Sequence, residues 1–234
     1  MIINSILNLL TNEIENRCWS NKSLSLLLIL IIFSFGGSSL FINYNNIIEQ
    51  LISFSIICTF LIISIFIINL KIEFSSFGLL KIKISYFLWI PAIYILVLIL
   101  FALILPIWEL VLTKFLGIEI KPQEILLELN NIDKPLHLTL FIFTSVIIAP
   151  IYEELLFRGI ILPKLLNRFG HIKSIMISSI IFSILHFHFP ALLPLFILSV
   201  VLSYLYLITG SLWSSIFLHA LFNGITVAIF LFIN

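Results

Sequence analysis

The sequence predicts an all-α, polytopic membrane protein: a transmembrane helical bundle of about seven spans (roughly six to eight), since each span takes about 20 apolar residues. The 234 residues are 62% hydrophobic and 10% charged, with a mean hydropathy of +1.26, whereas soluble domains carry about 25% charged residues. The net charge is +1, so there is no basic surface for nucleic acid and no acidic tail. We therefore expect membrane lipid, and no nucleic acid, among the partners.

Apolar stretches of about 20 residues define the spans. In the first span Gly36-Gly37-Ser38-Ser39 interrupts the apolar run, and in the third Pro91 and Pro106 favour a kink. Pro190 and Gly210-Ser211 make the last two connections tight. The predicted spans are 24–42, 51–70, 84–108, 136–157, 172–189, 191–208 and 212–232.

These spans form one integral membrane domain with two parts. Residues 1–135 supply the N-terminal spans and an acidic interfacial loop, 109–135, in which Pro122–Leu129 is predicted to be an amphipathic helix. Residues 136–234 form the core that carries the chemistry. Met1–Leu10 lacks a charged region and a cleavage site, which favours a short interfacial helix over a signal peptide. The two cysteines, Cys18 and Cys58, predict neither a disulfide nor a metal site.

Lysine and arginine predict the orientation, because they concentrate in cytoplasmic loops. With seven spans, only Lys114, Lys121 and Lys134 lie on the opposite side. We therefore expect the N-terminus and the opening of the active site to face the cytosol, in the cytoplasmic membrane if the source is a prokaryote. The residues on the cytosolic side are Arg17, Lys22, Lys71, Lys81, Lys83, Lys164, Arg168 and Lys173.

Three apolar segments carry ionisable side chains, which are costly at membrane depth and usually functional. They are Glu153-Glu154-Leu155-Leu156-Phe157-Arg158, Phe182-Ser183-Ile184-Leu185-His186 and His219-Ala220-Leu221-Phe222-Asn223. At about 1.5 Å per helical residue, Glu153 lies roughly 16 Å from Lys164, His186 roughly 20 Å from Lys173 and His219 roughly 12 Å from Ser211. The three segments therefore bring polar groups to similar depths, and we expect them to share one cavity.

The residue types in this cavity are those of amide hydrolysis. Glu154 and Arg158 are i, i+4 neighbours that can form an ion pair, which leaves Glu153 free to act as a general base toward water. His186 can orient the same water. His219 and Asn223 also lie i, i+4 and can both donate hydrogen bonds to one developing oxyanion.

Each motif taken alone has a simpler explanation. A glutamate–arginine pair can be a structural bridge, and a histidine in a span is usually a helix–helix contact. Phe157 and Phe182 are predicted to be packing residues. His137 and His171 are expected at span ends, and His188 on a different face from His186. Only the three motifs together predict a site.

At these residues the chain resembles the CAAX-processing and bacteriocin-processing (CPBP, or Abi) family of intramembrane endopeptidases, a type II CAAX prenyl protease-like family. Its motifs are Glu-Glu-x-x-x-Arg, Phe-x-x-x-His and His-x-x-x-Asn in this order, and all three stand in residues 136–232. The resemblance implies a catalytic Glu153 that activates water with His186, an oxyanion site at His219 and Asn223, and support from Glu154 and Arg158. It also implies a cavity open to the cytosol and to lipid.

The resemblance implies two chemistries. In the preferred one the glutamate activates water and no cofactor is required; in the other, zinc is held by Glu153, His186 and His219. The substrate expected from the family is a lipidated or membrane-tethered peptide or protein. The sequence identifies neither the prenyl group nor the oligomeric state.

Two functions from other classes compete with the endopeptidase. One is a non-catalytic membrane scaffold or bacteriocin-immunity factor on the same fold. Such a protein would not need Glu153, His186, His219 and Asn223 intact. The other is a small transporter or proton relay, which would also use intramembrane glutamate and histidine. An inverted repeat is expected of many transporters, and the N-terminal half has no counterpart of the three motifs.

Overall fold

A computed structural model of the chain describes Ile14 and residues 78–80, 84–120 and 135–233. All regular structure in this part is helical, and it contains no strand. The total of about seven spans cannot be counted from these residues, because several predicted features lie outside them: the spans 24–42 and 51–70, the helices Met1–Leu10 and Pro122–Leu129, and the two cysteines.

Helix α1 runs from Ile84 to Phe115. It contains Pro91 and Pro106, and its last turn, Val111–Phe115, is π-helical. The helix is therefore longer than the predicted span 84–108. Three of its buried side chains, Ile90, Tyr94 and Val97, pack against residues of the last two helices of the chain.

Helix α2 runs without a break from Pro135 to Phe169 and carries the first motif. It is π-helical at Thr144–Ile148 and at Phe157–Ile161, on either side of the two glutamates. A proline closely follows each of these segments, Pro150 and Pro163. Because proline has no N–H to donate to the preceding turn, a wider turn is accommodated there.

This length corrects the prediction for residues 158–169. The predicted span ended at 157, and Lys164 and Arg168 were placed in a loop. In the structure both lie on the last segment of α2, Leu162–Phe169. The helix ends at Gly170, whose φ of 71° suits glycine.

Helix α3, His171–Ile184, has 14 residues and is about 21 Å long. This is shorter than the bilayer core of about 30 Å, so the full span predicted for 172–189 is not present. The helix ends before His186, and Phe187 has a positive φ of 50°. A short 3₁₀ turn, Phe189–Ala191, then leads into the next helix.

Helices α4, Leu192–Thr209, and α5, Leu212–Ile233, complete the core. Gly210 connects them in a left-handed conformation, φ 65°, and donates its N–H to the carbonyl of Tyr206 at 2.8 Å. Four helices of the described part are long and apolar enough to cross a membrane: Ile84–Phe115, Pro135–Phe169, Phe189–Thr209 and Leu212–Phe232. The chain is therefore an integral membrane protein.

Helices α3 and α4 both carry buried serines. Small side chains let two helices approach closely in a membrane, and this contact places α3 beside α4 with its C-terminal end toward α2 and α5. The buried serines are Ser174, Ser178, Ser179 and Ser183 on α3, and Ser199 and Ser203 on α4.

Candidate active site

The three motifs meet between α2, α3 and α5. Oε2 of Glu153 lies 3.9 Å from Nε2 of His186 and 3.8 Å from Nε2 of His219. The side chain of His186 is 27% exposed, that of Glu153 is 14% exposed and that of His219 is 3% exposed. The group is therefore reached from outside on the His186 side and closed on the His219 side.

Glu154 lies at the centre of a fully buried polar network. Its Oε1 accepts a hydrogen bond from Nη1 of Arg158 at 2.9 Å, and Nδ1 of His219 lies at 2.9 Å from the same oxygen. Arg158 also donates from Nη2 to the hydroxyl and to the carbonyl of Ser199, both at 2.8 Å. The predicted i, i+4 ion pair is present. Its carboxylate also binds His219, and its guanidinium also binds Ser199 of α4.

The Nδ1 contacts fix the orientation and the tautomer of both histidine rings. Nδ1 of His186 lies 2.7 Å from the carbonyl oxygen of Phe182. A carbonyl can only accept, so this Nδ1 carries a hydrogen. For the same reason Nδ1 of His219 donates to the Glu154 carboxylate. Each ring therefore turns Nε2 toward Glu153, and a ring that is neutral has its lone pair on this atom.

Phe182 lies between the arginine and the histidines, and its side chain is fully buried. Its ring centroid is 5.1 Å from Cζ of Arg158, 4.6 Å from the His186 ring and 5.9 Å from the His219 ring. The prediction that Phe182 is a packing residue was therefore incomplete, because its ring contacts three side chains of the site.

Asn223 is one turn along α5 from His219, and it is fixed by a different helix. Its Nδ2 donates to the carbonyl of Ser145 at 2.9 Å, inside the first π-helical segment of α2. Gly224, the next residue, brings α5 close to this segment: a Cβ atom there would lie 3.3 Å from Cγ1 of Val146. The contact uses one of the two amide hydrogens of Asn223.

Sequence reasoning missed three residues that contact the motif side chains. Tyr152 donates from its hydroxyl to Oε1 of Glu153 at 3.2 Å. Ser199 binds Arg158, and the carbonyl of Ser145 binds Asn223. Ser199 is in a helix without a motif, so only its position as a polar residue in an apolar span could have indicated it. A backbone carbonyl gives no signal in a sequence.

The other histidines do not join this group. Within the described residues only His186 and His219 bring a ring nitrogen within 4.0 Å of Glu153. His188 lies beyond the turn that follows α3, outside the helix. His137 and His171 lie at the first turns of α2 and α3, as expected of residues at span ends.

The candidate zinc ligands are Glu153, His186 and His219. Neighbouring ligands of a tetrahedral zinc ion, each about 2.0–2.1 Å from the metal, lie about 3.3 Å apart. Oε2 of Glu153 is 3.8 Å and 3.9 Å from the two imidazole nitrogens, so the carboxylate lies farther from each nitrogen than this geometry requires. Residues 84–120 and 135–233 hold no group of three histidine, cysteine, aspartate or glutamate side chains that fits a metal ion.

Comparison with known proteins gives one family and one relative. Residues 135–225, which hold all three motifs, match the family described as type II CAAX prenyl endopeptidase Rce1-like. The chain is 35% identical over 88 residues to a protein named "Putative membrane peptidase YdiL" from Bacillus subtilis (strain 168). That alignment covers 38% of the chain and 36% of the relative, little more than a third of its length. No solved structure matches the chain. The resemblance inferred from the three motifs is confirmed.

Proposed function

We propose, from the premise that residues 135–225 match the type II CAAX prenyl endopeptidase Rce1-like family, that this chain is an intramembrane endopeptidase. It hydrolyses a peptide bond of a lipidated or membrane-tethered peptide or protein. The observation that carries the proposal is the convergence of Glu153 Oε2 with Nε2 of His186 and Nε2 of His219.

The space between Glu153 and His186 suits a water molecule. Atoms 3.9 Å apart are too distant for a direct hydrogen bond, and such a separation is commonly bridged by water. If a water oxygen lies 2.8 Å from each of these two atoms, the angle between them at that oxygen is about 90°. This is close to the angle between the two O–H bonds of water. Both atoms are acceptors, so the water donates to each and keeps its lone pairs for attack on a carbonyl carbon.

Charge balance supports a different role for His219. The buried site contains two carboxylates, Glu153 and Glu154, and one arginine, and an uncompensated charge is costly inside a membrane. His219 lies between the two carboxylates, and a proton on its Nε2 completes the balance. The resulting imidazolium donates from Nε2 toward the oxygen that becomes negative during the reaction.

Asn223 supplies the second donor to that oxygen. One of its amide hydrogens is held by Ser145, which fixes the plane of the amide, and the other remains for the substrate. The two donors are one helical turn apart on α5, so both can donate a hydrogen bond to one oxygen atom.

The reaction then proceeds in two proton transfers. Glu153 takes a proton from the water as its oxygen bonds to the carbonyl carbon, and the carbonyl oxygen becomes the oxyanion bound by His219 and Asn223. When the C–N bond breaks, Glu153 returns the proton to the amine. The products are a carboxylic acid and an amine, and Glu153 ends in its starting state.

The proposed orientation places the opening toward the cytosol. The junction of α2 and α3 at Gly170 is flanked in sequence by three basic residues, Lys164, Arg168 and Lys173. Basic residues concentrate on the cytoplasmic side of a membrane. With Cys18 and Cys58 replaced by serine, Arg168→Cys at this exposed position should react with an impermeant maleimide in inside-out vesicles. Reaction in right-side-out vesicles would reverse the orientation.

The function is tested by cleavage in liposomes. A panel of prenylated, acylated and helix-anchored peptides is incubated with the purified wild type and with Glu153→Gln, His186→Ala and His219→Ala. We expect the wild type to cleave at least one class, which identifies the tether, and the three variants to lose about 10²-fold or more. Glu109→Gln, an exposed glutamate on α1, is the matched control and should cleave normally. Unchanged cleavage by Glu153→Gln would contradict the proposal.

A further inference from the structure

We propose that Tyr152 is a positioning residue for Glu153, a role that rests on the proposed function of Glu153 as the base. Its hydroxyl holds one carboxylate oxygen in place, so that the other faces His186 and His219. The residue lies outside all three motifs, and the family resemblance assigns it no role.

The two oxygens of Glu153 have different surroundings. Oε1 accepts the hydrogen bond from the Tyr152 hydroxyl at 3.2 Å. Oε2 is buried and has no hydrogen-bond partner among the described residues, and it is the oxygen that lies 3.8–3.9 Å from the two imidazoles. The carboxylate is thus held at one end and presented at the other.

The remaining side chains of the site bind elsewhere. Arg158 binds Glu154 and Ser199, and the Nδ1 atoms of both histidines bind Glu154 and the Phe182 carbonyl. Among the described residues Tyr152 is therefore the hydrogen-bond donor to the Glu153 carboxylate, and this bond fixes the carboxylate torsion. A glutamate side chain has three rotatable bonds, and fixing them restricts the base to the orientation that meets the water.

Adjacent residues of a helix point about 100° apart, so this contact needs a long side chain with a terminal donor. Tyrosine at 152 has both properties. Phenylalanine would keep the ring and remove only the donor, which makes Tyr152→Phe a clean test. Tyr204→Phe, the same change at an exposed tyrosine of α4, is the matched control.

The kinetic test compares kcat with KM for the best peptide of the panel. Because a hydrogen bond to a charged group is lost, kcat for Tyr152→Phe should fall about 10-fold to 100-fold, while KM should stay within about twofold, as expected of a hydroxyl that acts through Glu153 and not on the peptide. Tyr204→Phe should match the wild type. Wild-type kcat in Tyr152→Phe, or a loss confined to KM, would overturn the inference and leave the proposed function standing.

An infrared measurement on the purified protein needs no substrate and also serves if Tyr152→Phe is inactive for another reason. Subtracting the spectrum of Glu153→Gln from that of the wild type isolates the carboxylate bands of Glu153. The same difference spectrum, taken between Tyr152→Phe proteins with and without Glu153→Gln, should show these bands shifted. Taken between Tyr204→Phe proteins with and without Glu153→Gln, it should show them unshifted. Identical bands in all three backgrounds would overturn the inference. Normal cleavage by Glu153→Gln would instead overturn the proposed function.

Discussion

Nδ1 of His219 lies 2.9 Å from Oε1 of Glu154, the same oxygen that Nη1 of Arg158 reaches at 2.9 Å. One carboxylate therefore orients a histidine of the site and compensates a buried arginine. The two adjacent glutamates, Glu153 and Glu154, differ accordingly: one is half-buried beside the imidazoles, and the other is fully buried in an ion pair.

Substitution of the two glutamates should separate activity from stability. In Glu154→Gln the Arg158 charge is left buried without a counter-charge, so the free energy of unfolding should fall by about 3 to 5 kcal/mol, and cleavage should also fall because His219 loses its acceptor. Glu153→Gln should lose cleavage and keep its stability within about 0.5 kcal/mol.

Thermal unfolding in one detergent, monitored by circular dichroism, compares the two variants. Glu109→Gln provides the control for a glutamate outside the site. Equal destabilisation by the two substitutions would contradict the distinct roles of the neighbouring carboxylates.

Arg158→Lys should not preserve the network. The guanidinium binds Glu154 with one nitrogen and Ser199 with another, a fork that a single ammonium group cannot reproduce. We expect a loss of about 2 kcal/mol or more in the free energy of unfolding. Arg168→Lys, at an exposed position of the same helix, should lose less than about 0.5 kcal/mol. Similar stability of the two lysine variants would show that the second contact of Arg158 is not needed.

Sequence reasoning predicted the convergence of Glu153, His186 and His219 because it needed only helical rise and the position of each residue in its span. It failed at the end of α3. Residues 172–189 are apolar on average, and mean hydropathy measures the length of such a stretch, not where its helix stops. The helix stops at Ile184 and the chain turns at Phe187, whose φ is 50°.

The contacts made by residues outside the motifs could not be predicted for a different reason. Whether Ser199 reaches Arg158 depends on the distance between α2 and α4, which the packing of the whole bundle determines. The Tyr152 contact depends on a side-chain rotamer. The Ser145 carbonyl accepts a hydrogen bond from Asn223 within a π-helical turn. Hydrophobic periodicity contains none of this information.

Phe182→Ala should destabilise the protein and reduce cleavage together. Its ring is fully buried and contacts Arg158 and both histidines, so truncation should cost about 3 to 5 kcal/mol. Phe182→Leu should recover most of the stability and less of the cleavage, because the apolar volume returns without the aromatic face that contacts the cation and the imidazoles. Phe187→Ala, at a 79% exposed position, is the control. Full cleavage by Phe182→Leu would reduce Phe182 to a packing residue.

Gly224→Ala should destabilise the contact between α5 and the first π-helical segment of α2. The added methyl group would lie 3.3 Å from Cγ1 of Val146, and overpacking typically costs about 1 to 3 kcal/mol, more than the gain of about 1 kcal/mol from replacing glycine in a helix.

A double-mutant cycle checks the cause of that loss. In the Val146→Ala background the obstructing methyl group is absent, so Gly224→Ala should become stabilising by up to about 1 kcal/mol. If Gly224→Ala has the same effect in both backgrounds, the contact with Val146 does not explain it.

Cleavage should survive removal of divalent metals. The distances of 3.8 Å and 3.9 Å from Glu153 Oε2 to the two imidazole nitrogens suit a bridging water better than a zinc ion. Cleavage in the presence of EDTA or 1,10-phenanthroline should therefore equal that of the untreated protein, and the metal content measured by mass spectrometry should be well below one zinc per chain. Inactivation by both chelators, reversed by zinc in the wild type and not in Glu153→Gln, would instead make Glu153 a metal ligand. The histidines and the carboxylate would then have to move together by roughly half an ångström to reach ligand spacing.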